Sequence, residues 1–171
     1  MQKYNIVLEE TWLDYPDPKS NAIIVYMTGC EHHCKGCHSP SLQVKAEYTE
    51  TKEEIVKKVE DLCKRADTNK IVLLGGDPLF CTNLEITKYI LKELANDYDI
   101  CIFTGYDIEK IKELNIKGAK YYKCGKYIEE LKRESKKTDD EYILASPNQN
   151  FYDSNYNQLS VNGVLKFKIK E

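Results

Sequence analysis

No apolar run in this sequence approaches the roughly 18 to 20 residues needed to span a bilayer. Its first twenty residues, Met1 to Ser20, carry charges and two prolines, and no apolar stretch of the kind a secretory leader has. A clustered basic excess is missing too: 25 Lys and Arg stand against 28 Asp and Glu, and the two signs are interleaved along the chain. That leaves no electrostatic footprint for nucleic acid. These absences predict a cytoplasmic protein with neither a membrane nor a nucleic-acid partner. Internal repeats and interdomain linkers are also lacking, so residues 1–171 read as a single domain with one sizeable core. A hydrophobic content of 42% excludes disorder as the default.

Cysteine is plentiful, at positions 30, 34, 37, 63, 81, 101 and 124. Disulfides rarely persist in a reducing compartment, and an odd count cannot all pair within one chain. Metal or redox chemistry therefore leads for any cysteines that cluster, and three do. Cys63 and Cys101 fall on helix and strand positions that predict burial. Cys81 and Cys124 are open between cleft and packing roles.

Strands and helices alternate along the chain. Asn21 to Thr28 reads as a strand buried on both faces. Thr51-x-x-Glu54 is a capping box that opens a helix over 51–66. Lys70 to Leu74 is a second buried strand, and Thr82-x-x-Glu85 offers the cap of a second helix. A third strand covers Asp99 to Phe103, a short helix Asp107 to Leu114, and a fourth strand Ala119 to Lys123. Beyond it the pattern predicts a helix over 127–136, a fifth strand at Glu141 to Ala145, a loop over 146–158 and an edge strand over 161–169. This order predicts an α/β fold with a mostly parallel sheet and helical crossovers. The cysteine loop, Gly75-Gly76-Asp77-Pro78, Thr104-Gly105-Tyr106 and Cys124-Gly125 each follow a strand. In a parallel sheet those ends share one edge, where α/β proteins place their active sites.

The cysteine loop reads Gly29-Cys30-Glu31-His32-His33-Cys34-Lys35-Gly36-Cys37-His38. A structural zinc site could use His33 or His38 as a fourth ligand, yet such sites usually join two ligand pairs, and no second Cys-x-x-Cys exists here. An electron-transfer cluster normally has four cysteine ligands. Three ligands leave one iron of a [4Fe–4S] cluster open, and an open metal position suits catalysis. His32 and His33 read as solvated or supporting residues rather than ligands.

Cys-x₃-Cys-x₂-Cys directly after a first buried strand resembles the signature of the radical S-adenosylmethionine superfamily. His32, Gly36 and the Gly-Cys-His-Ser-Pro continuation are similar to its branch that activates anaerobic ribonucleotide reductases. Gly75-Gly76-Asp77-Pro78, Thr104-Gly105-Tyr106, Gly125-Lys126 and Ser146-Pro147-Asn148-Gln149 follow in the branch's order. The chain departs from it at Ser39, where Asn is usual, and at Cys124, where Asp is usual.

The resemblance implies a partial, open β/α barrel of the radical S-adenosylmethionine type. It implies a [4Fe–4S] cluster on Cys30, Cys34 and Cys37, with S-adenosylmethionine chelating the unique iron and cleaved reductively to a 5′-deoxyadenosyl radical. Gly75, Gly76 and Asp77 would meet the cofactor's amino group, Gly36, Cys37 and His38 its adenine, and Thr104 its ribose or carboxylate. The implied substrate is a glycine of the anaerobic ribonucleotide reductase large subunit, with the 148–157 stretch as a candidate contact. The implied electron source is a reduced flavodoxin-like protein, and homo-oligomerisation is left open. Competing readings are an activase of another glycyl radical enzyme of the pyruvate formate-lyase type, a small-molecule radical enzyme, and a non-catalytic iron–sulfur or zinc module.

Overall fold

A computed structural model describes residues 3–4, 6–11, 14–37, 40 and 50–167. Its elements are β1 (Lys3–Tyr4), β2 (Ile6–Thr11), β3 (Ala22–Met27), β4 (Glu50–Thr51), α1 (Lys52–Ala66), β5 (Lys70–Gly75), α2 (Leu84–Leu94) and β6 (Asp99–Thr104). They continue as α3 (Ile108–Glu113), β7 (Tyr121–Cys124), β8 (Lys136–Lys137), β9 (Glu141–Ile143), β10 (Asn150–Asp153) and β11 (Val164–Lys166). His38 and Ser39 lie outside the described residues.

Four strands, β3, β5, β6 and β7, run parallel and side by side. Antiparallel strands complete both edges, giving the order β10-β7-β6-β5-β3-β2. Helices α1, α2 and α3 supply the crossovers that parallel neighbours require. The α/β class with a largely parallel sheet is thus as the sequence predicts.

Alternation along each strand sends successive side chains to opposite faces. Ile23, Val25 and Met27 of β3, with Ile71, Leu73, Ile100 and Ile102, pack with Ile55, Val59, Ile86 and Ile90 of α1 and α2. Ile24, Val72 and Cys101 form a second core with Tyr142, Leu144, Phe151 and Leu165. Tyr142 and Leu165 belong to a separate antiparallel sheet of order β11-β9-β8. Helices therefore cover one face of the main sheet and the later part of the chain the other. Burial on both faces explains why β3 and β5 read as unbroken apolar runs. Cys63 and Cys101 are buried core residues.

Several elements differ from their sequence reading. The capping box on α1 forms as expected, with Thr51 Oγ1 accepting from Glu54 N–H and Glu54 accepting from Thr51 N–H. The one proposed at Thr82 does not: α2 starts at Leu84 behind Asn83, and Thr82 Oγ1 is buried without a partner. Asn83 instead spends its amide on the carbonyls of Thr28 and Asp77, each at 2.9 Å, which ties the helix start to the strand ends. The helix expected over 127–136 is only a 3-10 turn at Glu129–Leu131. Tertiary bonds compete for its backbone, since Ile128 N–H donates to Ser146 Oγ and Arg133 N–H to the Ala145 carbonyl.

The stretch expected as a loop over 146–158 contains β10, which pairs with β7 from Asn150↔Cys124 to Asp153↔Tyr121. Its polar sequence suits an edge strand whose partner residues lie 26 to 32 positions earlier, which no local periodicity reveals. The fifth strand exists as β9, but in the small sheet rather than the main one, and β11 is an edge strand as expected.

Replacing Thr51 with Ala should lower unfolding stability by about 1 kcal/mol, with Ser restoring most of it. Urea denaturation followed by circular dichroism measures both.

Candidate metal centre

All four chemistry-bearing turns leave the same edge of the parallel sheet. The cysteine loop follows β3, Gly75-Gly76-Asp77-Pro78 ends β5, Thr104-Gly105-Tyr106 ends β6, and Cys124-Gly125 ends β7. Gly75 needs a positive φ of 132°, and a Cβ there would stand 2.2 Å from the Met27 carbonyl oxygen of the adjacent strand. Only glycine lets the two strand ends approach so closely. Gly76 N–H then donates to Met27 O at 2.7 Å, and Asp77 N–H to Gly29 O at 2.8 Å, joining the β5 turn to the cysteine loop.

Asp77 is 1% exposed and its carboxylate gathers donors from three turns. Oδ1 accepts from Leu79 N–H at 2.9 Å, and Oδ2 from Gly105 N–H at 2.9 Å. The Thr104 hydroxyl donates to this carboxylate, lying 2.9 Å from both oxygens. His32 Nε2 completes the set at 2.6 Å from Oδ2. Burying a carboxylate is costly, and several charge-assisted hydrogen bonds offset that cost. Gly105 also has no room for a side chain, because a Cβ would lie 2.6 Å from the His32 ring. The Tyr106 ring packs edge-on against His32 with centroids 4.4 Å apart, and its hydroxyl donates to Glu31.

One cavity of about 410 Å³ opens beside this network. Cys30, Cys34, Cys37, Gly75, Gly76 and Thr104 share its wall, so six of the residues singled out from sequence meet there. Asp77 is not on that wall, since its carboxylate is spent on the turns. Gly36 does not line the cavity either: its φ is 74°, and the space a Cβ would need is filled by the Glu129 carboxylate. His38 lies outside the described residues. His33 is exposed with a φ of 50° and is absent from the wall.

The three loop cysteines are free thiols of intermediate exposure. Cys81 is exposed and off the cavity wall, and Cys63, Cys101 and Cys124 are buried elsewhere. The cavity thus offers three thiols and no fourth among the described residues. Burial raises the Cys30 thiol pKa, partly countered by the His32 N–H that donates to its sulfur. Among the described residues, the donor set in which all ligand atoms lie within 4.8 Å of one another is Cys30, His32 and Asp77. Cys34 and Cys37 share the cavity wall with Cys30 but are not part of that donor set.

A family model described as a 4Fe-4S single cluster domain matches residues 21–151. The chain belongs to that family. The match runs from β3 through β10, so the cluster domain includes the whole parallel sheet and not only the cysteine loop. The chain is similar to three proteins named anaerobic ribonucleoside-triphosphate reductase-activating protein. The one from Enterobacteria phage T4 is 28% identical over 106 residues, covering 60% of this chain and 68% of the phage protein. The one from Vibrio cholerae serotype O1 is 29% identical over 96 residues, covering 52% and 61%. The one from Salmonella typhi is 27% identical over 116 residues, covering 63% and 75%. No solved structure matches the chain. No helix among the described residues is long and apolar enough to cross a membrane.

Sequence reasoning missed several residues of the 4Fe-4S domain's cavity, including Asp14, Tyr26, Lys123 and Tyr142, while Gln149 of the quoted Ser146-Pro147-Asn148-Gln149 motif does line it. Strand alternation alone could have flagged Lys123, as a charge on an otherwise apolar face. The Ser146-Pro147-Asn148-Gln149 segment fastens the β7 turn, with Asn148 Nδ2 donating to Lys126 O at 2.7 Å and Gln149 Nε2 to Gly125 O at 3.2 Å. Cys124 belongs to the helix-side core, where burial pushes its thiol up to about 12.

Asp77→Ala should cost about 3–5 kcal/mol, because it strands His32 and several N–H donors. Chemical denaturation checks the loss, and iron analysis after anaerobic reconstitution should show lower cluster occupancy.

Proposed function

We propose that this chain is a radical S-adenosylmethionine activase that generates a glycyl radical on an anaerobic ribonucleotide reductase. The observation that carries this reading is the set of three cavity-lining cysteines, with no fourth, at the C-terminal edge of a parallel sheet. The names of the similar proteins support the choice of partner.

Under this reading the 171 residues act as one catalytic domain whose parallel strands form a partial, open barrel. Cys30, Cys34 and Cys37 hold a [4Fe–4S] cluster and leave one iron for the cofactor. When bound, the reduced cluster supplies the electron for reductive cleavage of S-adenosylmethionine, and with it the hydrogen-abstracting power. The protein's own contribution is orientation and exclusion of water. Gly75 and Gly76 present backbone to the cofactor's amino group, and Cys37 main chain, with Gly36 and His38 beside it, reaches the adenine. Asp77 acts at one remove, holding the turns rather than touching the ammonium. Thr104 offers its remaining surface, since its hydroxyl donates to Asp77 and accepts from Tyr106 N–H. A reduced flavodoxin-like protein in the cytoplasm is the proposed donor.

Anaerobic reconstitution with iron and sulfide, followed by reduction and addition of S-adenosylmethionine, should yield 5′-deoxyadenosine. Adding the cognate reductase subunit should yield a glycyl radical by electron paramagnetic resonance. Cys30→Ala, Cys34→Ala and Cys37→Ala should each abolish cleavage. Stoichiometric zinc with neither cluster nor cleavage would sink the proposal.

A further inference from the structure

The floor of the cavity carries a charge that the fold has no use for. Tyr26, Leu74, Phe103 and Lys123 line it from the main sheet, where Tyr26 pairs with Leu74 and Lys123 pairs with both Phe103 and the buried Phe151. All but Lys123 are aromatic or aliphatic, and this row lies against the second core. Phe103 and Phe151 meet edge to face at 6.1 Å, and Tyr142 packs on Phe151 at 5.3 Å. The Lys123 ammonium stands 5.1 Å from the Phe103 ring centroid. No carboxylate among the described residues lies within ion-pair distance of it. Burial lowers its pKa, against the opposing pull of Cys124, Cys101, Asp77 and Asp14. Lys123 is half-buried, and a partly desolvated cation without an ion-pair partner on a cavity wall points to a ligand.

Asp14 lines the same cavity. It accepts from the Thr11 hydroxyl at 2.9 Å and forms no ion pair with Lys123, and burial raises its pKa. The cavity floor thus presents a strong N–H donor and a carboxylate acceptor that are not joined to each other. The cysteines stand at the strand-end side of the cavity, while Lys123 lies within β7, one residue before its end. Cysteines and row thus face one cavity, and a substrate segment bound there would lie within it beside the cysteines.

We propose that Lys123 and Asp14 hold the main chain of the substrate glycine, Lys123 donating to a peptide carbonyl and Asp14 accepting from a peptide N–H. This rests on the activase reading and deepens it. Glycine offers no side chain to recognise, so selection must act on its flanking amides. A donor and an acceptor on an aromatic floor are the groups that bind an amide at both ends.

The test is the ratio of glycyl radical formed to 5′-deoxyadenosine released, measured on the reconstituted enzyme with the cognate reductase subunit. This ratio is independent of cluster loading and of modest stability loss. In Lys123→Met it should fall about tenfold or more, the loss of one hydrogen bond to a charged group, with Lys123→Arg recovering part of it. Asp14→Asn should lower the same ratio and carries the test if Lys123→Met fails to fold. An unchanged ratio in both variants would overturn the inference and leave the activase reading standing. A wild-type enzyme that cleaves the cofactor yet never oxidises the subunit would overturn the substrate reading, and this inference with it.

Discussion

The Asp77 carboxylate receives hydrogen bonds from three turns that are distant in sequence, and those turns carry most of the cavity's chemistry. His32 arrives from the cysteine loop, Leu79 N–H from the β5 turn, and Thr104 and Gly105 from the β6 turn. Buried almost completely, the carboxylate is stable only while these donors are in place, so each turn is held by the others. Two glycines make this possible by absence of bulk: Gly75 lets β5 close on β3, and Gly105 lets the His32 ring sit against the β6 turn. The cysteine loop is thereby clasped to the β5 and β6 turns.

Covering the second face of the sheet has a chemical consequence as well as a structural one. Residues from β9 and β10 bury Ile24, Val72 and Cys101, and the same segment contributes Tyr142, Leu144 and Gln149 to the cavity. The cavity is consequently polar at the cysteine end and aromatic along its floor. A low-dielectric floor strengthens any electrostatic contact made within it. The ammonium of Lys123, set among aromatic rings with no ion-pair partner among the described residues, is prominent for that reason.

The three-thiol geometry and the family match bear on each other. The family is one of single 4Fe-4S cluster domains, and the cavity wall carries three cysteines and no fourth among the described residues. On the proposed reading they would hold the cluster and leave one iron position open. An electron carrier would fill it with a fourth cysteine to protect the cluster. Cys81, the nearest in sequence to the β5 turn, is exposed and stays away from the cavity.

Much of this was legible in the residues themselves. Buried parallel strands announce themselves as unbroken apolar runs, and the Thr51 capping box and the three clustered cysteines are local patterns whose spacing carries their meaning. The convergence of Cys30, Gly75 and Thr104 also followed, because parallel strands must share an edge. What only the tertiary structure decided depends on contacts with no local signature. Asp77 reads as a ligand to an ammonium until its carboxylate is seen enclosed by four donors from three segments. The 127–136 segment has helical composition, but Ser146 and Ala145 take its backbone donors, and β10 becomes a strand only because β7 offers an open edge. Lys123 gained its significance in the same way: adjacent strands set two phenylalanines beside it, and no carboxylate among the described residues pairs with its charge.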